Sequence, residues 1–526
     1  MAIAVNVLLL IPILLPFLLG VIIFGFRKWL QSFSGEIGTA GIIGVVVFVA
    51  VIIDKVSKST NKIIYGVYDT SIGTEYNPPT GIQLRGDGVS SWILLFLNIL
   101  LVLVLIYESS KIREQQNAPI YVSFFLFLIS GINGAFLTYD FFTLFLSWVI
   151  IGISLILLIT FNRKKEDLTT GGVKAFTTIG FAIALLLLAV ILTYGLFGTL
   201  NFAYILDNEL FNAGILQNTK LLVYFIISTV IISFGIFANF FLLNIWTPSA
   251  IQNARTGVKI MTVSFTGVTA VFSLLKVLYN VFNPVIFPGD NFSIVLAGIG
   301  LISAFEGLLL IIGQLIKKEE INAMKIIVYT AFVNIGIAVT ALSFGGIILE
   351  DVTSVNLLRD CLGYGYLYLA NSVATIFLSA ICLEKFAEAS GGSFDLKDMK
   401  GMGKEFPITG VIFTISSLSN IGILPTFGGV TIFMIIYSLF RTEYLAFAII
   451  LAVLVFILLV CNMIILKQLI LNKSQRISAV ATGISNDISV TTFIGILLAL
   501  SLLLFGIVPS LITNGVIEGV SSILSI

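Results

Sequence analysis

The sequence predicts an all-α integral membrane fold of about fourteen transmembrane helices. Two inverted five-helix repeats are expected, spans four to eight and nine to thirteen, with broken helices at spans seven and twelve. Three observations predict this. Charged residues make up only 10% of the chain and apolar ones 58%, where a soluble domain carries roughly 25% charged residues. Long apolar runs recur along the whole chain with short polar loops between them. Two of these runs are interrupted by proline or paired glycines at comparable places.

A helix needs about 20 apolar residues to cross a bilayer, which places spans near residues 15, 45, 99, 129, 150, 185, 231, 269, 304, 334, 373, 420, 456 and 499. In lipid every backbone polar group must be satisfied within the element, so runs of this length read as helices. The first run, Val5 to Phe26, has no basic segment before it and no small-residue cleavage site, and reads as a retained helix. The organisation expected from this count is three N-terminal helices over 1–118, a first repeat over 119–282, a second over 283–470 and a C-terminal helix over 471–526.

Basic residues set the expected orientation. Odd-numbered loops hold Arg27 and Lys28, Lys111 and Arg113, Arg163 to Lys165, Arg255 and Lys259, Lys317 and Lys318, Lys385 to Lys404, and Lys473 and Arg476. Even-numbered loops are nearly free of Lys and Arg apart from Lys55, Lys58, Lys62 and Arg85 and single residues such as Arg359 and Arg441. An excess of Lys and Arg marks the cytoplasmic side, so both termini are expected outside a cell membrane.

The seventh span runs into Asn244-Ile245-Trp246-Thr247-Pro248, and the twelfth contains Leu424-Pro425-Thr426-Phe427-Gly428-Gly429. Proline removes a helix hydrogen bond, and glycines weaken the helix further. Broken helices at matching positions of two repeats point to an ion site at the membrane midplane; two unrelated kinks are the plainer alternative. An unrelated solute transporter built on the same logic would show a substrate-sized pocket between the two breaks.

Composition also excludes chemistry. Histidine is absent and the three cysteines, Cys361, Cys382 and Cys461, are widely spaced. Histidine-ligated haem and the usual zinc sites are therefore ruled out, no metal site is expected, and the cysteines read as buried free thiols. Acidic and basic residues nearly cancel, so nothing recruits nucleic acid; the partners expected are the bilayer and other membrane subunits. An ionisable residue inside a span is by default a functional candidate, which singles out Glu306 in the ninth span and Lys276 near the end of the eighth, where a lysine can also snorkel to the interface. Asn239, Asn244, Asn334 and Asn371 are candidates for bridging helices or holding water on a polar axis. Asp140 and Lys174 stand at span ends and read as anchors, and Lys325, after Glu319 and Glu320 at a span start, reads as a residue of the cytoplasmic edge.

Several segments carry a resemblance, in a consistent order. They are Asp87-Gly88-Val89-Ser90, Gly131-Ile132-Asn133-Gly134, the aromatic run Tyr139 to Val149, Lys174-Ala175-Phe176 with Tyr194 to Asn201, Ile245 to Ala250, Lys325 to Tyr329 with Asn334-Ile335-Gly336, Ser417 to Pro425, and Gly506 to Pro509. Together these resemble the antiporter-like subunits of respiratory complex I, those usually lettered M or N, and the large Mrp antiporter subunits. Related subunits occur in membrane-bound hydrogenases and sulfur-reducing complexes.

The resemblance implies proton translocation through a mid-membrane chain of buried lysines, a glutamate and histidines. It implies no cofactor on this chain: quinone, flavin and iron–sulfur chemistry would belong to partner subunits of a multisubunit membrane arm. The chain departs from the pattern at each charged position. The fifth-span glutamate falls at Val149, the seventh-span lysine at Phe237, the histidine before the tryptophan at Asn244, the eighth-span lysine near Val271, the eleventh-span histidine near Asn371 and the twelfth-span lysine or glutamate at Phe433. Valine and phenylalanine hold no proton, and asparagine only orients water. The expectation is a membrane-arm subunit of a complex I-type, NADH/quinone oxidoreductase-like complex with a degenerate channel, serving coupling or structure. The alternatives are an Mrp-type cation/proton antiporter subunit or a hydrogenase-type relative.

Overall fold

In the computed structural model the residues described are 7–58, 62–66, 82–161, 171–206, 216–282, 291–317, 320–344, 352–472 and 489–524. Arg163, Lys164, Lys165, Lys318, Lys473 and Arg476, which bear on orientation, lie outside them. The helices are α1 (Ile11–Gly25), α2 (Ser34–Lys58), α3 (Gly88–Ile112), α4 (Ala118–Leu137), α5 (Phe141–Thr160), α6 (Val173–Phe197), α7 (Leu216–Ala238), α8 (Thr256–Asn280), α9 (Asn291–Leu315), α10 (Ala323–Leu342), α11 (Val352–Ala389), α12a (Pro407–Ile421), α12b (Phe427–Phe440), α13 (Leu445–Leu471), α14 (Val490–Ile507) and α15 (Ser510–Leu524).

Thirteen of the described helices are long and apolar enough to cross a membrane, and the short pair α12a and α12b occupies the place of the remaining expected span. Burial sorts them. The most apolar stretches of α8, α10 and α11 are 94%, 94% and 100% buried inside the chain, whereas those of α1 and α2 are 28% buried. The first three therefore form the centre, and the last two present their apolar side chains outward. With lipid as apolar as leucine, helices associate through close packing. At the α9–α10 contact Gly300 and Ala304 meet Gly336, where a methyl group on Gly336 would stand 2.6 Å from the Gly300 carbonyl oxygen.

One element departs from the all-helical expectation. Strands β1 (Lys62–Gly66) and β2 (Gln83–Asp87) pair antiparallel and lie at the end of the bundle where α3 begins. Arg85 of β2 is buried, its guanidinium 2.7 Å from the Tyr139 hydroxyl and 4.7 Å from the centre of that ring. A basic residue that breaks the charge rule is thus enclosed in a protein site. Asp87 ends the hairpin and caps α3, accepting from the Ser90 amide at 2.8 Å.

Both expected breaks occur. Helix α7 stops at Ala238, and Asn239 (φ 59°) and Leu242 (φ 63°) follow in the left-handed region, which costs a non-glycine residue about 1–2 kcal/mol. Pro248 then opens the short helix Thr247–Ala250. In the other break Gly422 (φ 86°) ends α12a, the Leu424–Pro425 bond is cis, and Thr426 caps α12b. Gly428 sits against the backbone of α12a: a methyl group there would overlap the Ser419 carbonyl oxygen and lie 2.8 Å from Asn371 Nδ2. Because the overlap is with backbone, Gly428→Ala is expected to cost about 3 kcal/mol or more, the upper end of overpacking, read as a lowered unfolding temperature of the detergent-solubilised protein.

Candidate functional site

Four groups of polar side chains among the described residues bear on the site. The first lies at the hairpin end. Lys276, buried in α8, donates to the Phe136 carbonyl at 2.6 Å, one of the C-terminal carbonyls that α4 leaves free. It therefore turns inward and does not snorkel. The charged groups acting on it are Asp87, Arg85 and Asp140. One turn on, Asn280 accepts from the Tyr139 hydroxyl at 3.3 Å, which joins this lysine helix to the Arg85 site. Asp140, between α4 and α5, accepts from the amides of Gln83 (3.0 Å) and Thr143 (2.6 Å). Burial raises its carboxyl above the usual carboxylate range, against these amide hydrogen bonds, which pull it down. The anchoring expected of Asp140 is what these bonds supply.

The second group surrounds the α7 break. Asn239 accepts from the Thr247 hydroxyl across the break. Asn244 donates to Glu306 of α9 at 2.9 Å, and Ser303 one turn earlier takes the Phe241 amide at 3.0 Å. Glu306 is half-buried, with Phe305, Leu309, Leu242 and Ile245 exposed around it. The carboxylate thus stands at an outer face of the chain, hydrogen-bonded to the break.

The third group is a thread in α10, α11 and α12a. Asn334 donates to Asn420 at 2.6 Å and accepts from the Tyr368 hydroxyl at 2.9 Å. Asn371 accepts from the Ser419 hydroxyl at 2.9 Å, and Ser419 in turn takes the Gly428 amide at 3.2 Å. All are buried, and none carries a charge. Asn244, Asn334 and Asn371 therefore bridge helices, while Asn239 closes the α7 break locally. Satisfied networks of this kind fix helix positions; amides and hydroxyls do not load and release a proton near neutrality.

The fourth group, at the opposite end, is absent from the sequence-level candidates. Glu108, 1% exposed in the last turn of α3, accepts from the Tyr121 hydroxyl (2.8 Å), Arg255 Nε (3.0 Å) and the Gly257 amide (2.8 Å). It thereby supplies a negative charge at the start of α8, where the helix dipole favours one. Gly257 permits the approach, since a methyl group on it would come within 2.6 Å of the Glu108 carboxyl carbon. Beside it Lys111 pairs with Glu384 (2.6 Å) and Glu388 (2.8 Å), and the Tyr107 hydroxyl donates to Glu384. The sequence signal is faint: a Tyr-Glu pair one turn before a span ends reads as solvated.

The positions where the resemblance expects charge are packed apolar or turned outward. Phe237 is buried, its ring 4.5 Å from that of Trp148, whose indole N–H donates to Ser273 at 3.2 Å. Val271 is fully buried and Val149 half-buried. Phe433 is 57% exposed and stacks on Tyr437. A cavity of about 390 Å³ adjoins Pro248 at the α7 break, but none of its described lining residues comes from the second break. It is therefore not the shared pocket that a solute transporter would need.

An all-helical membrane bundle with two interrupted spans and buried polar groups along them is the architecture of an antiporter-like subunit. The chain belongs to the NADH:quinone oxidoreductase/Mrp antiporter transmembrane family, whose model matches residues 138–458. It is 26% identical over 457 residues to the D subunit of the Na(+)/H(+) antiporter of Alkalihalophilus pseudofirmus, covering 85% of this chain and 84% of that protein. Its fold matches a chain of the Mrp complex from Dietzia sp. DQ12-45-1b with a TM-score of 0.80 at 16% identity, covering 99% of this chain and 98% of that one. A chain of the archaeal membrane-bound sulfane sulfur reductase matches with the same TM-score at 19% identity, with the same coverage.

Proposed function

We propose that the chain is an antiporter-like subunit of a multisubunit membrane complex of the Mrp type, and that it braces or couples the complex without carrying protons along a mid-membrane axis. One observation carries the second half: apolar side chains stand at Val149, Phe237, Val271 and Phe433, and the polar thread that remains is uncharged. The Na(+)/H(+) antiporter relative, matched over most of both chains, favours the Mrp type over the complex I arm expected from motifs alone. A respiratory complex is the second reading, favoured by the equal likeness to the sulfane sulfur reductase chain; the subunits that co-purify with this chain separate the two. Within this reading the Glu108 end lies in the cytoplasm, supported by Lys111, Arg113, Arg255 and Lys259 at that end. Residues 119–282 and 283–470 form the inverted repeats, supported by the two matching breaks.

The test is cation-coupled proton flux in proteoliposomes holding the whole complex, with assembly checked by pull-down. Lys276→Met and Glu306→Gln are expected to leave flux unchanged in assembled complexes. Loss of a group that relays the proton costs about a hundredfold or more. A fall of that size with assembly intact would mean that a path survives on these two residues and would end the non-conducting reading.

A further inference from the structure

Glu306 and the α7 break set two groups that hydrocarbon does not tolerate on one outer face. Ser303 is the thirteenth and Glu306 the sixteenth of the 25 residues of α9. At 1.5 Å per residue the carboxylate stands about 14 Å from the nearer helix end and about 22 Å from the farther one, within a bilayer core about 30 Å thick. The Phe241 amide reaches Ser303 at 3.0 Å and Asn244 reaches Glu306 at 2.9 Å, so the irregular stretch from Asn239 to Trp246 lies at the same depth. This face is bare in the chain alone. Leu242 is 61% and Ile245 72% exposed, and Ile302, Phe305 and Leu309 of α9 are each about half-exposed.

Non-helical backbone at this depth is stable only against protein or a water-filled cavity, and an ionisable residue there is paired. Among the described residues the groups acting on Glu306 are Asn244 and the Leu242 amide, neither of them charged. Water is a poor cover, because a site needs polar partners to hold it and the ring around the carboxylate is apolar. The cavity beside Pro248 is not lined by Glu306, Asn244 or Leu242. Lipid is a poor cover too, since it would leave both the carboxylate and the left-handed turn at Leu242 in hydrocarbon. Resting on the multisubunit reading above, we propose that a membrane helix of a partner subunit covers this face and sets a lysine or arginine against Glu306. Its apolar side chains pack among Phe305, Leu309 and Ile245, and its cation meets the carboxylate where little water screens the pair. A second copy of this chain does not fit: a two-fold contact presents the same patch from both sides and would set Glu306 against Glu306.

The test uses the assembled complex in its native lipids, with a photo-crosslinking side chain at Ile245 or at Leu309 and adducts identified by mass spectrometry. Both positions are expected to label one peptide of a partner subunit, an apolar stretch that holds a lysine or arginine. In pull-down, Glu306→Gln is expected to lower retention of that subunit on the order of tenfold and Glu306→Lys on the order of a hundredfold, as for a truncated or reversed member of a buried charge pair. Exchanging the labelled cation for glutamate should restore retention to Glu306→Lys. Should Glu306→Lys fail to fold, the crosslinks made with Glu306 intact and the glutamine variant decide. Adducts to lipid alone, a labelled peptide without a cation, labelling of a second copy of this chain, or retention unchanged by both variants would each overturn the proposal. If the unaltered chain purifies without any partner subunit, the multisubunit reading fails and this proposal falls with it. Partners retained equally with and without Glu306 would refute the proposal alone.

Discussion

Glu108→Leu is expected to destabilise the chain by about 3 kcal/mol, the lower end of the 3–5 kcal/mol seen when one partner of a buried ion pair is removed. The lower end applies because Arg255 is 28% exposed along its side chain and recovers some hydration. The carboxylate holds three donors from three places: Tyr121 in α4, Arg255 before α8 and the Gly257 amide in the first turn of α8. Leucine leaves all three without their acceptor, whereas Arg255→Leu removes one and leaves two in place. The arginine change strands the buried Glu108 carboxylate without its counter-charge, though with two donors still in place, and should cost a similar amount, about 3 kcal/mol. The double change should cost less than the sum of the two, because the second loss relieves an unpaired charge left by the first. Thermal unfolding of the solubilised chain, with membrane abundance alongside, measures all three. If both single changes proved to cost under about 1 kcal/mol, the range of an exposed pair, Glu108 would not be the hub of this end of the bundle.

The contrast between Glu108 and Glu306 shows what could be read in advance. Glu306 lies mid-span, where an ionisable side chain must find a partner in protein, and the structure supplies Asn244. Glu108 lies a turn from a span end, where charge ordinarily meets water; only the tertiary arrangement brings the start of α8 over it. The asparagines were legible for the same reason as Glu306, since an amide inside a span needs a neighbouring helix, and Asn334 and Asn371 find theirs in α12a. Spans and breaks were legible because length, proline and paired glycines act locally. The hairpin was not, because β1 and β2 sit in a polar stretch without strand alternation, held by Arg85 against Tyr139 and by the Gln83 amide on Asp140. The outward turn of Phe433 was equally hidden, since which face of α12b meets the rest of the chain is set by packing and not by its own residues.

Restoring a lysine at position 237 is expected to cost about 3 kcal/mol or more and to bring no ion flux. Phe237 is 1% exposed and lies ring to ring with Trp148, which also packs on Phe234 at 5.3 Å between ring centres. An aromatic pair of this kind is worth about 0.5–1.5 kcal/mol beyond its buried area, and that is lost outright. The ammonium weighs more: taking it out of water costs several kcal/mol, and the Trp148 ring that meets position 237 carries no counter-charge to offset it. The neighbouring family position, Val149, has no charge to give either. One substitution therefore puts back a charge without the water and counter-charges that would let it exchange a proton. Phe237→Lys should lower the unfolding temperature of the assembled complex while leaving proteoliposome flux unchanged. Wild-type stability together with a new proton flux would mean that water reaches this position, and the centre of the bundle would then be a closed channel and not a sealed core.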